Sequence, residues 1–342
     1  MKPIPSAGPW ITEKEIAYVN DAVANGWYQN WSGYIDKLEQ VFSSFVDVPY
    51  VIPTSSCTGA LTLAMRALDL QPGDEVICPD MTWIATITGA CHLGANPVFV
   101  DIEPDTWCID PGQVEAAITS KTKAIIAVDM YGHPSDKDAL MRIASDSGVP
   151  LIEDAAPGIG SRYKDKMVGS FGHAATFSFQ GAKPLVSGEG GMLVTNDKAF
   201  YDRCFYFQDH CRDTSQTLFN TDIGYKFKIS NIQAALICAQ VERADEIISK
   251  RRQIYSWYAE RLQQQSGLRM NIERADCYNS YYVPSIVLDE DFKLTAHQLV
   301  DRMLENNIGC RPFFRPLSSL PMFSKADTPV SYDVYNKGIN LP

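Results

Sequence analysis

A chain of 342 residues, 45% of them hydrophobic, can bury a core large enough for two domains without covalent staples. Its net charge of −11 and pI near 4.9 argue against a nucleic-acid partner, and require that any phosphorylated ligand be held by local positive groups and helix N-termini. Nine cysteines with no CxxC pair argue against zinc and disulfide frameworks, so no metal site is expected; without a membrane-length apolar run or an apolar signal core in Met1-Lys2-Pro3-Ile4-Pro5, the chain reads as a soluble protein of a reducing compartment, the cytoplasm.

Taken in order, residues 12–25 carry a helical pattern with Ile16, Val19 and Val23 on one face and a capping box between Thr12 and Glu15. The segment 26–33 is rich in glycine and aromatics. Its Trp27, Tyr28 and Trp31 suit a packed loop and a ligand wall equally well. A second helix over 35–45 leads to a strand at 50–52. Strand and helix patterns then alternate, with strands at 75–78, 97–101, 124–128 and 150–154 and helices after Thr58 and over 83–93. Continuous apolar, β-branched runs of this kind mark strands buried on both faces of a parallel sheet, so the class is α/β.

In such sheets a ligand sits outside the carboxyl ends of the strands, and three features fall on that rim. Ser55 to Thr58 open a helix whose free N–H groups suit a phosphate, although an ordinary cap has the same composition. Trp83 follows a strand, where its indole either packs in a core or covers a flat ring. Asp154 ends a strand and precedes Ala155-Ala156. It is either a helix cap or the partner of a buried cationic ring nitrogen.

Lys183 closes the run Phe177-Ser178-Phe179-Gln180-Gly181-Ala182-Lys183, between two short strands and just before Gly188-Glu189-Gly190-Gly191. A lone lysine there normally faces solvent. Ser178 at the strand mouth can meet a phosphate, and the glycines admit a flat ligand close to the backbone. A desolvated lysine can form a Schiff base. Further on, 231–265 reads as one long helix joining two domains, 281–287 as a strand and 295–306 as a capped helix. The prolines of 312–317 exclude helix there.

A phosphate cradle (Ser56, Cys57 and Thr58 with Ser178), a ring cover (Trp83, with Ala156 beneath), an acid (Asp154) and an amine (Lys183) together suit pyridoxal 5'-phosphate. With Gly73-Asp74-Glu75-Val76-Ile77, Ile152-Glu153-Asp154-Ala155-Ala156, Gly169-Ser170-Phe171-Gly172, Gly188-Glu189-Gly190-Gly191, Ser230-Asn231-Ile232-Gln233-Ala234-Ala235 and Arg311-Pro312-Phe313-Phe314, the chain resembles the DegT/DnrJ/EryC1/StrS sugar-nucleotide aminotransferases from residue 4 to 342.

That resemblance implies a fold-type I architecture. A large domain over 1–245 holds a mostly parallel, seven-stranded-type sheet, and a small α+β domain occupies 246–342, short of a final helix found in relatives. It implies a homodimer with shared sites. It also implies transamination of a UDP-, GDP- or dTDP-linked keto-sugar, foremost a 4-keto-6-deoxyhexose, with glutamate as donor, in surface polysaccharide or O-antigen synthesis. Alternatives are a dehydratase, which carries His in place of the lysine, and a non-catalytic regulatory relative. Lys183 is the implied catalytic residue. Lys226, where the family shows Asn, is expected to reach the cofactor phosphate of the other subunit. Pro157 stands where a cofactor-contacting Gln or His is usual. Trp27, Tyr28, Trp31, Gln180 and Arg311 are assigned to the sugar-facing wall.

Overall fold

The computed structural model describes residues 2–6, 8–262 and 264–342. Nine of its strands lie in the first 200 residues: β1 (Tyr50–Thr54), β2 (Glu75–Pro79), β3 (Asn96–Val100), β4 (Thr122–Val128), β5 (Leu151–Asp154), a hairpin of β6 (Arg162–Tyr163) and β7 (Lys166–Met167), then β8 (Ala174–Ser178) and β9 (Gly191–Thr195). Seven of these form one sheet in the order β1-β9-β8-β5-β4-β2-β3. The five strands from β8 to β3 run parallel, and β9 pairs antiparallel with both β8 and β1. The expected mostly parallel sheet is present, and its strands are apolar because helices cover both faces.

Those helices are α1 (Glu13–Asn25), α2 (Gly33–Val46), α3 (Cys57–Ala67), α4 (Ala85–His92), α5 (Pro111–Ala117), α6 (Lys137–Ser147), α7 (Lys198–Gln208) and α8 (Asn231–Val241). Helices α3, α4 and α7 bury Leu61, Met65, Ile87 and Phe200 against one face with Ile152. On the other face, α6 packs Leu140 and Ile143 against Leu151 and Ile125, and α2 and α8 enclose Phe42, Phe177 and Ile237. Alternate residues of β5 therefore serve different layers.

A smaller unit follows α9 (Ala244–Leu262). It contains β10 (Leu268–Met270), β11 (Cys277–Tyr278), β12 (Ser285–Leu288), α10 (Ala296–Glu305), β13 (Arg311–Pro312), α11 (Pro329–Lys337) and β14 (Gly338–Asn340). Four of its strands make an antiparallel sheet, β10-β12-β14-β13, while β11 crosses back to pair with β6.

Three local expectations are corrected. The helix expected over 231–265 is two helices separated at Glu242-Arg243, because the Glu242 carboxylate is drawn to Lys14 and Lys37 and Arg243 turns to Glu15; its Gln263, like Met1 of the N-terminal segment, lies outside the described residues. In α1, Ile16 and Val23 are exposed, and Glu15 and Ala22 are buried. Glu15 accepts from the Thr12 N–H at 2.7 Å and pairs with Arg243 at 2.6 Å, which rotates that face inward. The strand expected over 281–287 begins only at Ser285, since Tyr281 sits at φ +47° with its N–H on the Asn279 side chain at 2.7 Å.

Candidate active site

At the carboxyl end of the sheet lies a cavity of about 440 Å³. Its floor is the start of α3. Ser56 caps the helix, accepting from the Gly59 N–H at 3.1 Å, so the next free N–H groups, at Cys57 and Thr58, have no intrahelical partner. Gly191 fixes the approach of β9 to this turn. A Cβ there would meet the Cys57 nitrogen at 2.4 Å and the Ser56 carbonyl oxygen at 2.5 Å. Ser178 ends β8 beside the same turn and is buried.

Asp154, at the end of β5, is 5% exposed and points to the α3–α4 layer. Its Oδ2 accepts from Thr86 Oγ1 at 2.7 Å and its Oδ1 from the Ala156 N–H at 3.2 Å. Burial raises its pKa against those two donors and the nearby Lys183 charge. Among the described residues no cation forms an ion pair with it. Lys183 lies on the loop after β8. The turn is closed by its N–H donating to the Gln180 carbonyl at 2.8 Å and by Gly181 donating to Gly188 at 3.0 Å. The Lys183 Nζ stands 4.7 Å from the centre of the Tyr282 ring. Trp83 lines the opposite wall, 62% exposed, with its ring 6.1 Å from that of Phe314.

The structure thus gathers Ser56, Cys57, Thr58, Trp83, Asp154, Ala156, Ser178, Gln180, Lys183 and Arg311 around one space. Trp27, Tyr28, Trp31 and Lys226 are elsewhere on this chain. Tyr28 is 89% exposed, Trp31 lies under Lys228, and Lys226 pairs with Asp209 at 2.7 Å. Thr86, Tyr282 and Phe314 line the cavity too, although sequence reasoning did not single them out. Thr86 is hidden in a helical pattern, and Tyr282 sits in a run that reads as strand.

An anion cradle at a helix N-terminus, a buried acid without an ion pair and a lysine lining the same cavity fit pyridoxal phosphate, group for group. This fold with this site defines a fold-type I pyridoxal phosphate enzyme.

The chain belongs to the DegT/DnrJ/EryC1/StrS aminotransferase family, whose model matches residues 9–342. It is 39% identical to the GDP-perosamine synthase of Escherichia coli O157:H7, over 100% of this chain and 93% of that protein. It is 36% identical to the GDP-perosamine synthase of Vibrio cholerae, over 99% and 93%. Among solved structures it superposes on the putative sugar aminotransferase Spr1654 of Streptococcus pneumoniae, PLP-form, with a TM-score of 0.93 at 27% identity, covering 99% of this chain and 93% of that one. The protein is a pyridoxal phosphate-dependent sugar aminotransferase.

Proposed function

We propose that the enzyme moves an amino group from glutamate to a GDP-linked 4-keto-6-deoxyhexose. The observation that carries this reading is the full-length similarity to two GDP-perosamine synthases. It is joined by a cavity in which a lysine, a buried acid and a helix N-terminus converge.

When bound, pyridoxal phosphate supplies an aldehyde and a ring that withdraws electrons from the reacting carbon. This chain's residues do the rest. The Cys57 and Thr58 N–H groups, with the Ser56 and Ser178 hydroxyls, hold the phosphate. Asp154 keeps a proton on the ring nitrogen, a role that its lack of any other cationic partner suits. Trp83 and Ala156 cover the two ring faces. The Lys183 amine would anchor the cofactor and, when free, hold or move a proton at Nζ beside the reacting carbon. Gln180 and Arg311 face the sugar.

The reading includes a homodimer with shared sites. Support comes from exposed Ile16, Val23, Trp27, Tyr28, Leu218 and Ile223, apolar side chains that a single chain leaves in water. In that dimer Trp27, Tyr28, Trp31 and Lys226 serve the other subunit's cavity. The division into a large unit over 1–245 and a small one over 246–342 and a cytoplasmic setting in surface-polysaccharide synthesis belong to the same proposal; no helix among the described residues is long and apolar enough to cross a membrane.

The test is incubation with glutamate and GDP-, UDP- and dTDP-linked 4-keto-6-deoxyhexoses, following 2-oxoglutarate and the amino sugar by mass spectrometry. Amino sugar from the GDP-linked substrate is expected, with activity absent in Lys183→Ala. Ammonia release without an amino sugar would show a dehydratase instead.

A further inference from the structure

Two carboxylates on the sheet rim have no part in the chemistry above. Asp80 follows β2 and Asp101 follows β3, on neighbouring strands, and they are 0% and 6% exposed. Neither forms an ion pair among the described residues; both are held by N–H and O–H donors alone. Asp80 Oδ1 accepts from the Ser318 N–H at 2.7 Å. Its Oδ2 accepts from the Ser318 hydroxyl at 2.7 Å and from the Thr328 hydroxyl. The Asp80 carbonyl takes the Leu317 N–H at 2.8 Å. Asp101 Oδ1 accepts from the N–H and hydroxyl of Ser331 at 2.8 and 2.7 Å, and its Oδ2 from the Val330 N–H at 2.9 Å. These are the free N–H groups that open α11, whose own N-cap, Thr328, makes no side-chain cap bond. A strand-end acid more than 200 positions earlier in the chain thus caps that helix, with the charge sign its dipole favours.

The segment so gripped, 317–331, follows directly on one wall of the cavity. Arg311 and Phe314 line it, and Pro316 bridges to Met81. Trp83, whose ring packs 6.1 Å from that of Phe314, comes three residues after Asp80. One buried carboxylate therefore holds both the turn that presents Trp83 and the chain that presents Phe314. Burying a charge with no cation nearby is expensive, and apolar packing would fasten a loop at lower cost. The directional, charge-assisted bonds add a fixed spacing.

We propose that Asp80 is a positioning residue of the transamination site. Acting through Ser318 and Thr328, it fixes where the Arg311–Phe314 wall stands against Trp83, and so the grip of Arg311 on the sugar substrate, while Asp101 anchors the far end of the same segment. The inference rests on the reading of this cavity as the transamination site.

The holoenzyme is measured in three forms: wild type, Thr328→Val and Ser318→Ala. Readouts are KM and kcat for the keto-sugar, the amino-donor half-reaction followed by cofactor absorbance, and amide hydrogen exchange over residues 310–331. Each variant is expected to raise the sugar KM about tenfold with kcat within about twofold, to speed exchange in that segment, and to leave the donor half-reaction unchanged. Faster exchange with an unchanged sugar KM would reduce the clamp to a structural feature and overturn the proposal, as would an equal loss in both half-reactions. Lys183→Ala run alongside separates the two claims. Activity surviving there overturns the reading of the cavity, whereas an inactive Lys183→Ala with unaltered sugar KM in Thr328→Val overturns the clamp alone.

Discussion

Glu153 and Asp154 are adjacent acids on one strand, both buried, and they face opposite layers of the molecule. Glu153 looks toward α6 and has every partner a carboxylate can use. The Lys137 Nζ lies 2.9 Å away, and the N–H groups of Gly169, Phe171 and Gly172 stand at 3.0, 2.9 and 2.8 Å. Burial pushes its pKa up, yet Lys137 and those donors outweigh it and hold the carboxyl below the usual range. Asp154 looks toward α3 and α4 and has two donors and, among the described residues, no ion pair, and burial raises its pKa against the nearby Lys183 charge. The same chemical group is given an ion pair on one face and none on the other, and the one without opens onto the cavity. A carboxylate that the fold completes contributes to folding. One that the fold leaves incomplete is available to a ligand.

The contrast breaks most visibly at Asp154→Asn. Transaminase activity should fall by about 10²–10³-fold or more, since no acid would hold the proton on the ring nitrogen. Stability should move the other way. Folded Asp154 binds its proton more tightly than the unfolded residue does, so in the cofactor-free protein its charge opposes folding above the unfolded carboxylate pKa. That penalty fades as the pH falls and the carboxyl reprotonates. Cofactor-free Asp154→Asn should therefore melt at the same or a higher temperature than cofactor-free wild type at pH 7. The two should converge below about pH 4. Scanning calorimetry across that range checks both signs, and a lower melting temperature at pH 7 would contradict the comparison.

Lys137→Met tests the other face. Lys137 is 0% exposed and also pairs with Asp129 at 2.6 Å, so its loss strands two buried acids. Destabilisation of about 3–5 kcal/mol is expected in denaturant titrations. In protein that remains folded, cofactor affinity should stay within a few-fold of wild type, because the triad faces away from the cavity. A selective loss of cofactor with normal stability would mean that the two faces of β5 are not independent.

Much of this was legible in the sequence, for a physical reason. Strands buried on both faces must be apolar throughout, so β2, β4 and β5 announce themselves, and the polar residues at their ends, Asp154 among them, stand out at once. Lys183 is marked by the glycines that its tight turn requires. Side chains that act from within a regular element leave no such mark. Thr86 is one polar position in a helix, and Lys137 looks like an ordinary first-turn lysine until α6 is laid on the sheet. Tyr282 was hidden for a different reason. The run 281–287 has strand composition, but Tyr281 stacks on Tyr255 with ring centres 3.6 Å apart, and Asn279 holds its N–H, so tertiary contacts override local preference. The exposed face of α1 follows the same logic, since a buried ion pair turned the helix against its own hydrophobic stripe.

Thr86→Val sharpens the comparison with the smallest change. Valine matches threonine in shape and removes one hydroxyl, leaving Asp154 with the Ala156 N–H as its remaining donor. If Asp154 is completed by the cofactor rather than by the protein, a cationic ring nitrogen supplies most of what the carboxylate lacks, and Thr86 chiefly aims it. Activity should then drop by about three- to tenfold, well short of Asp154→Asn, because a single hydrogen bond to a charged group is worth about 1.5–3 kcal/mol and part of that is recovered from the cofactor. The cofactor-free protein should lose more stability than the holoenzyme, as only the former keeps a buried acid with one partner. Melting temperatures with and without pyridoxal phosphate give that difference directly. A larger loss in the holoenzyme would mean that Thr86 contacts the cofactor itself instead of orienting the acid.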